Sequence, residues 1–229
     1  MKKVRWILAI ALAVAPCVSL QAEPAGQTTF TENFATGSNV GQWTFGAPPW
    51  EQIETEGGNP GAFLHNYLLD SFGPMARTGY EASSIFTGNY RARNVHTLGV
   101  DFALFHIGYT SVGRPVSLIL RNHNGTLYDL YDDCWVYTIG GKQCPKPNGV
   151  WHSYSFKVPS TSPTLPDDWG VMNCPGRTEQ EAWDLVINEV DEVMIFWADP
   201  TMFYIYQIWD VGMDNPTISF GTTDPPIGE

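Results

Sequence analysis

The stretch Gly57-Gly58-Asn59-Pro60-Gly61 decides how the first part of this chain folds. Three glycines and a proline within five residues favour a tight turn, because glycine tolerates positive φ and proline restricts φ to about −65°. The apolar run Ala62-Phe63-Leu64 follows at once, and Trp43 and Trp50 precede the turn. The pattern therefore predicts a tight turn followed directly by a buried strand.

The first 22 residues have the pattern of a signal peptide. Three basic residues precede an unbroken apolar run at 7–15, and Ala22 offers a small residue at a cleavage point. The run is too short to span a bilayer as a permanent helix. Cys17 leaves a lipoprotein open as an alternative, although Pro16 stands where lipidation needs a small residue. We expect residues 1–22 to be removed and the protein to be secreted, into the periplasm or the extracellular space.

The composition limits the partners of the chain. It has 12 Lys and Arg against 24 Asp and Glu, for a formal net charge of −12 over 229 residues. Nucleic acids and anionic membrane surfaces need clustered basic residues, so neither is expected as a partner. No segment after the apolar run is long and apolar enough to span a membrane. The nine tryptophans suit a β-sandwich with several buried rings.

Alternating runs predict most of the strands. The longest β-rich run, 95–107, is expected to be covered on both faces. Asn122-His123-Asn124-Gly125 lies between two alternating runs, 116–121 and 126–131. Asn-Gly in that setting is a strong hairpin signal, so we expect these two runs to pair.

One helix interrupts the strands. Thr178-Glu179-Gln180-Glu181 forms a capping box, and apolar residues follow at helical spacing. With many strands and no βαβ alternation, the sequence predicts an all-β protein, an antiparallel β-sandwich with one short helix near the C-terminal third. We expect a single domain over residues 23–220 and a frayed tail at 221–229.

Three cysteines remain after removal of the signal peptide: Cys134, Cys144 and Cys174. Export permits a disulfide, and three pairings are possible. We favour Cys134 with Cys144, which would clamp the loop holding Gly140 and Gly141 and leave Cys174 free.

A set of motifs links the chain to a known family: Gly57-Gly58-Asn59-Pro60-Gly61, Phe86-Thr87-Gly88-Asn89-Tyr90, Gly149-Val150-Trp151, Phe156-Lys157-Val158-Pro159, the helix 179–188 and Gly212-Met213-Asp214-Asn215. In this order they resemble laminin B (laminin IV) domains and their bacterial secreted relatives. More loosely, the chain is similar to galactose-binding-like jelly rolls and carbohydrate-binding modules. The resemblance spans about residues 30–220.

The resemblance implies a jelly-roll sandwich, extracellular and usually not catalytic. Such folds often hold a structural calcium between an acidic residue of the first strand and one before the last strand, and Glu32 and Asp214 are the matching positions. Asp101, within an apolar strand, is a third candidate ligand, since calcium prefers hard oxygens. Glu32 is either exposed at an edge or buried with a partner. Pro216 departs from the family pattern and predicts that the last strand is an edge or starts later.

The aromatic loop residues Trp50, Trp135, Tyr137 and Trp169 are candidates for stacking on sugar rings, although tryptophan in a sandwich is more often part of the core. We therefore expect a secreted, non-enzymatic module that binds an extracellular glycan. One alternative is an architectural or adhesion domain with a cell-surface protein as partner.

A carbohydrate-active lyase or hydrolase is the weaker alternative. The acidic pairs Glu54/Glu56, Asp132/Asp133 and Asp167/Asp168 offer carboxylates. Neighbouring carboxylates mostly point apart on a strand, so these pairs do not by themselves make an active site.

Overall fold

The computed structural model describes residues 26–127 and 129–221 of the chain. The expected signal peptide, 1–22, and all of the expected tail except Gly221 lie outside these residues. Along the described chain the strands and helices are β1 (Gln27–Thr31), β2 (Glu51–Gly58), β3 (Gly61–Ser71), β4 (Met75–Thr78), α1 (Tyr90–Arg93), β5 (Val95–Ile107), β6 (Pro115–Asn122), β7 (Cys134–Thr138), β8 (Lys142–Gln143), β9 (His152–Lys157), β10 (Trp169–Met172), α2 (Glu179–Asn188), β11 (Glu192–Phe196) and β12 (Gln207–Gly221).

The strands form two antiparallel sheets, which confirms the predicted all-β sandwich. Sheet A has the order β2-β3-β12-β5-β9, and β1 pairs with the C-terminal end of β12. Sheet B has the order β10-β7-β6-β11-β4, and β8 pairs with β6. The chain passes repeatedly from one sheet to the other. The inner faces of both sheets enclose a core rich in aromatic rings, among them Trp183, Trp197 and Trp209.

The glycine-rich turn has the predicted role. Asn59 and Pro60 connect β2 to β3, and Gly57 and Gly61 both have φ of 93°. These values favour glycine because a Cβ disfavours positive φ. The strand that follows carries Phe63 and Leu64 into buried positions.

The predicted helix is confirmed. Thr178 accepts a hydrogen bond from the backbone N–H of Glu181, and the Glu181 carboxylate accepts one from the backbone N–H of Thr178. Trp183 and Val186 of α2 are fully buried, and the Trp183 ring meets Trp169 of β10 edge to face. The helix thereby joins the core next to sheet B.

The predicted hairpin is half right. Asn124 and Gly125 both have positive φ, as an Asn-Gly turn requires. However, β6 pairs with β7, and the intervening residues of 123–133 that the structure describes contain no strand. Asp133, immediately before β7, forms an ion pair with Arg121 of β6.

The prediction for the last strand is wrong. β12 is a central strand of sheet A, flanked by β5 on one side and by β3 and β1 on the other. Pro216 is accommodated by a register shift between Asp214 and Thr217, where Asn215 adopts a φ of 49°. Proline is tolerated inside a sheet at such a bulge because no ladder hydrogen bond is needed from it.

The favoured disulfide is also wrong: Cys134 pairs with Cys174, and Cys144 is free. The register explains the difference. Cys134 lies opposite Asn122, at the end of β6, whereas Cys144 follows β8 beside the start of β6. β10 runs antiparallel to β7 and pairs Met172 with Trp135, which brings Cys174 back to Cys134. The free Cys144 thiol has a pKa raised by burial.

Candidate functional site

The outer face of sheet B brings together two of the four aromatic residues predicted to bind a ligand. Along β7, Cys134 and Val136 are buried while Trp135 and Tyr137 are half-buried, so the latter two side chains point away from the core. The register aligns Trp135 with Arg121 of β6 on one side and with Met172 of β10 on the other.

An open cavity of about 880 Å³ lies beside Trp135. Its walls are formed by residues before β7 and by the end of β10, with these described lining residues: Thr126, Leu127, Asp129, Leu130, Tyr131, Trp135, Met172 and Asn173. Tyr131 is 88% exposed, and its ring is therefore free to contact a ligand. We call this the Trp135 cavity. It combines two aromatic rings and apolar walls with a carboxylate and an amide.

Local packing fixes the aromatic side chains of this face. The Arg121 guanidinium lies 5.2 Å from the centre of the Trp135 ring, a cation–π contact that supports the ring from the side of β6. Tyr137 lies across Gly170, where an added Cβ would approach the Tyr137 ring to 2.7 Å. Burial raises the pKa of Tyr137, with further increases from the charges of Asp199 and Glu179, so its phenol keeps its proton at neutral pH and can donate a hydrogen bond.

The other two predicted aromatic residues lie elsewhere. Trp169 faces inward from β10, is 2% exposed and packs against Trp183, so it belongs to the core. Trp50 is 41% exposed but immediately precedes β2 of sheet A, where its ring meets Tyr67 edge to face at 5.7 Å. Trp50 is therefore a surface aromatic residue of the opposite sheet.

The structure brings two of the three predicted calcium ligands together. Asp101 and Asp214 are directly opposed in the pairing of β5 with β12. The side-chain amides of Asn59 and Asn215 both donate to Asp101 Oδ2, at 3.1 and 2.9 Å. Burial raises the pKa of Asp214, and the negative charge of Asp101 raises it further, against the backbone N–H groups that lower it.

Glu32 does not join this pair. It follows β1, is 3% exposed, and its carboxylate accepts from the backbone N–H groups of Phe34 and Gly41 at 3.1 and 2.8 Å. Of the two alternatives for Glu32, burial with a partner is therefore confirmed. Within the described residues, no three His, Cys, Asp or Glu side chains form a group that could hold a metal ion. What remains at Asp101 and Asp214 is a pair of carboxylates whose oxygens accept hydrogen bonds from N–H groups of Asn59 and Asn215. Carboxylate oxygens are the ligands that calcium prefers.

Sequence reasoning missed one constellation on sheet A. His65 of β3 lies between Glu54 of β2 and Asp210 of β12, with Nδ1 3.1 Å from Glu54 Oε1 and Nε2 2.7 Å from Asp210 Oδ1. The two carboxylates come from positions 156 residues apart, so no local motif indicates them. Among the acidic pairs noted in the sequence, Asp132 and Asp133 turn to different partners, Thr126 and Arg121.

Comparisons with protein-family models and with curated proteins found no match to this chain. In the part of the chain that the structure describes, no helix has the length and apolar character needed to cross a membrane.

Proposed function

We propose that this protein is a secreted, non-enzymatic module that binds an extracellular glycan, and that the Trp135 cavity is its binding site. The observation that carries the proposal is the combination of the Trp135 and Tyr131 rings with Asp129 and Asn173 around one open cavity. Sugar rings present apolar faces that pack on aromatic rings, and hydroxyl groups that bond to carboxylates and amides. The Cys134–Cys174 disulfide supports an oxidising compartment.

The experiment is a thermal-shift screen of the purified protein against soluble glycans, followed by calorimetry on any sugar that raises the melting temperature. Tyr131→Ala removes an 88% exposed ring that lines the cavity, so we expect it to weaken binding about tenfold with little loss of stability. Tyr109→Ala is the matched control, because Tyr109 is 74% exposed and lies outside the cavity. Equal binding by both variants, or no response to any glycan, would refute this site.

A specific observation favours a second candidate function, an adhesion domain with a protein partner. Phe72 lies 5.4 Å from Phe203 and 5.0 Å from Tyr206, ring centre to ring centre, and all three are exposed. Met202 and Ile205, on the same loop, are exposed as well. Exposed apolar side chains clustered in this way are typical of protein interfaces. Capture of a defined cell-envelope protein that Phe203→Ser abolishes would support this function over the first.

A further inference from the structure

A continuous series of aromatic rings crosses the outer face of sheet A, in this order: Trp50, Tyr67, His65, Phe63, Phe105 and Trp151. We call it the aromatic track. Ring centres of successive members are 5.7, 6.1, 5.3, 5.8 and 6.2 Å apart. Residues from four separate parts of the chain thus share one surface, which sequence spacing does not indicate.

The middle of the track packs closely against the sheet because one position beneath it is glycine. Gly212 of β12 pairs with His65 on one side and with Ala103 on the other. A Cβ added at Gly212 would lie 2.8 Å from the Trp151 ring and 3.0 Å from the rings of Phe105 and Phe63. The absence of a side chain there lets the rings cover the backbone. The Trp151 indole N–H also donates to the Gly57 carbonyl at 3.0 Å, which fixes its orientation.

Two carboxylates flank the middle of the track with hydrogen-bonding capacity to spare. Glu54 Oε1 and Asp210 Oδ1 bond to His65, whereas Glu54 Oε2 and Asp210 Oδ2 have no hydrogen-bond partner among the described residues. The side chains of Glu54 and Asp210 are 36% and 27% exposed, so both carboxylates are partly accessible to a ligand. His65 holds the two carboxylates in place on either side of its own ring.

The charge of this surface limits what it can bind. The hydrogen bonds and ring contacts of the track residues involve no lysine or arginine in the described chain. Two free carboxylate oxygens repel a uronate or a sulfated sugar but accept hydrogen bonds from hydroxyl or ammonium groups. Exposed rings at Trp50 and Tyr67 add faces on which an uncharged sugar ring packs.

We propose that the aromatic track is a second ligand-binding surface, specific for glycans without acidic groups, in which Trp50 and Tyr67 stack on the sugar and Glu54 and Asp210 accept its hydroxyl hydrogens. It lies on the sheet opposite the Trp135 cavity and shares only the ligand class with the function proposed above. Neither site needs the other.

The test uses the purified protein with ¹⁵N-labelled tryptophan, whose indole signals report each site separately by nuclear magnetic resonance. Trp50→Phe, Trp151→Phe and Trp135→Phe assign the three signals. The probes are neutral hexasaccharides of glucose, mannose and xylose, chitosan oligomers with free amines, and oligogalacturonate as the acidic counterpart. We expect at least one uncharged or amino sugar to shift the Trp50 and Trp151 signals, and oligogalacturonate to leave them unchanged.

Truncation of the exposed rings decides the assignment. Trp50→Ala with Tyr67→Ala is expected to weaken the response at Trp151 at least about tenfold, while Tyr109→Ala, an exposed aromatic residue off the track, leaves it intact. The proposal is overturned if no probe shifts Trp50 and Trp151, if oligogalacturonate shifts them equally, or if the double variant binds normally. A response confined to Trp135 overturns this inference and keeps the first site. A response confined to Trp50 and Trp151 keeps this inference and overturns the Trp135 cavity as a binding site.

Discussion

Two pairs of carboxylates in this sandwich are each bridged by a basic side chain, and they differ in burial. On sheet B, Arg121 bonds to Asp133 and to Glu192, and all three side chains are at most 4% exposed. On sheet A, His65 bridges Glu54 and Asp210, with side-chain exposures from 17% to 36%. A carboxylate pair bridged by a nitrogen-bearing side chain therefore occurs once out of contact with water and once in partial contact with it.

The difference in burial indicates that the Arg121 group has a structural role. In the buried group, Arg121 Nε, Asp133 Oδ1 and Glu192 Oε1 lack a hydrogen-bond partner. Arg77 lies 3.8 Å from Glu192 Oε1 and His123 Nδ1 lies 3.5 Å from Asp133 Oδ1, so only longer contacts offset the burial of these two oxygens. Burial raises the pKa of Glu192 in spite of Arg121. In the exposed group, the hydrogen bond from His65 lowers the pKa of Glu54. The buried group holds two strands and a loop together, whereas the exposed group keeps free oxygens for a ligand.

Arg121→Met is expected to have the largest effect. It leaves Asp133 and Glu192 buried without their main cation, which costs about 3–5 kcal/mol for a broken buried pair. Urea unfolding followed by far-ultraviolet circular dichroism measures the loss. The triple variant Arg121→Met, Asp133→Asn, Glu192→Gln removes the stranded charges and should recover much of it. A loss below about 1 kcal/mol in the single variant would contradict the view that this group is structural.

Much of the fold follows from local sequence. The run 95–107 coincides with β5, and the capping box at Thr178 places α2, because both signals depend on neighbouring residues alone. The errors arise where distant strands decide. The partner of Cys134 depends on how β10 pairs with β7, and the position of Pro216 depends on a bulge between β12 and β5.

The candidate sites could likewise be predicted where neighbouring residues determine the structure, and not where distant strands determine it. Trp135 and Tyr137 are two residues apart on one strand, so alternation predicts that they share a face. Exposure does not follow from alternation alone, and Trp169 illustrates this, since it alternates inward and packs on Trp183. The pairing of Glu54 with Asp210 through His65 requires the register of β2, β3 and β12, which no single stretch of the sequence contains.

A third carboxylate pair sharpens the comparison, because amides rather than a basic side chain connect it. We propose that Asp101 and Asp214 hold a structural calcium, with the side-chain amides of Asn59 and Asn215, which donate N–H groups to Asp101, turning their oxygens toward the ion when it binds. At a calcium concentration of about 100 times Kd, binding stabilises the fold by about 2.7 kcal/mol, which raises the melting temperature by several degrees. Differential scanning calorimetry with calcium and with EDTA measures this shift.

Magnesium at equal concentration controls for ionic strength in that experiment. Asp101→Asn should abolish the calcium response, while Asp70→Asn, at an exposed position of β3, should preserve it. A melting temperature that changes with neither calcium nor EDTA would refute the calcium site.

The smallest effect is expected for His65→Gln, which leaves Glu54 and Asp210 in a solvated setting. At pH 7 we expect the free energy of unfolding to fall by less than about 1 kcal/mol.

The pH dependence of the free energy of unfolding distinguishes this variant from Arg121→Met. The pKa of Glu54 is lowered in the fold, so its contribution is present above the ordinary value of 4.5 and disappears as the pH falls through the folded value. The pKa of Glu192 is raised, so protonation begins to relieve Arg121→Met already above pH 4.5. Urea unfolding of both variants from about pH 3, below the ordinary carboxyl pKa values, to about pH 7, well above them, should therefore show the Arg121→Met penalty shrinking at higher pH than the His65→Gln penalty. Coincident curves would mean that burial does not separate the two groups.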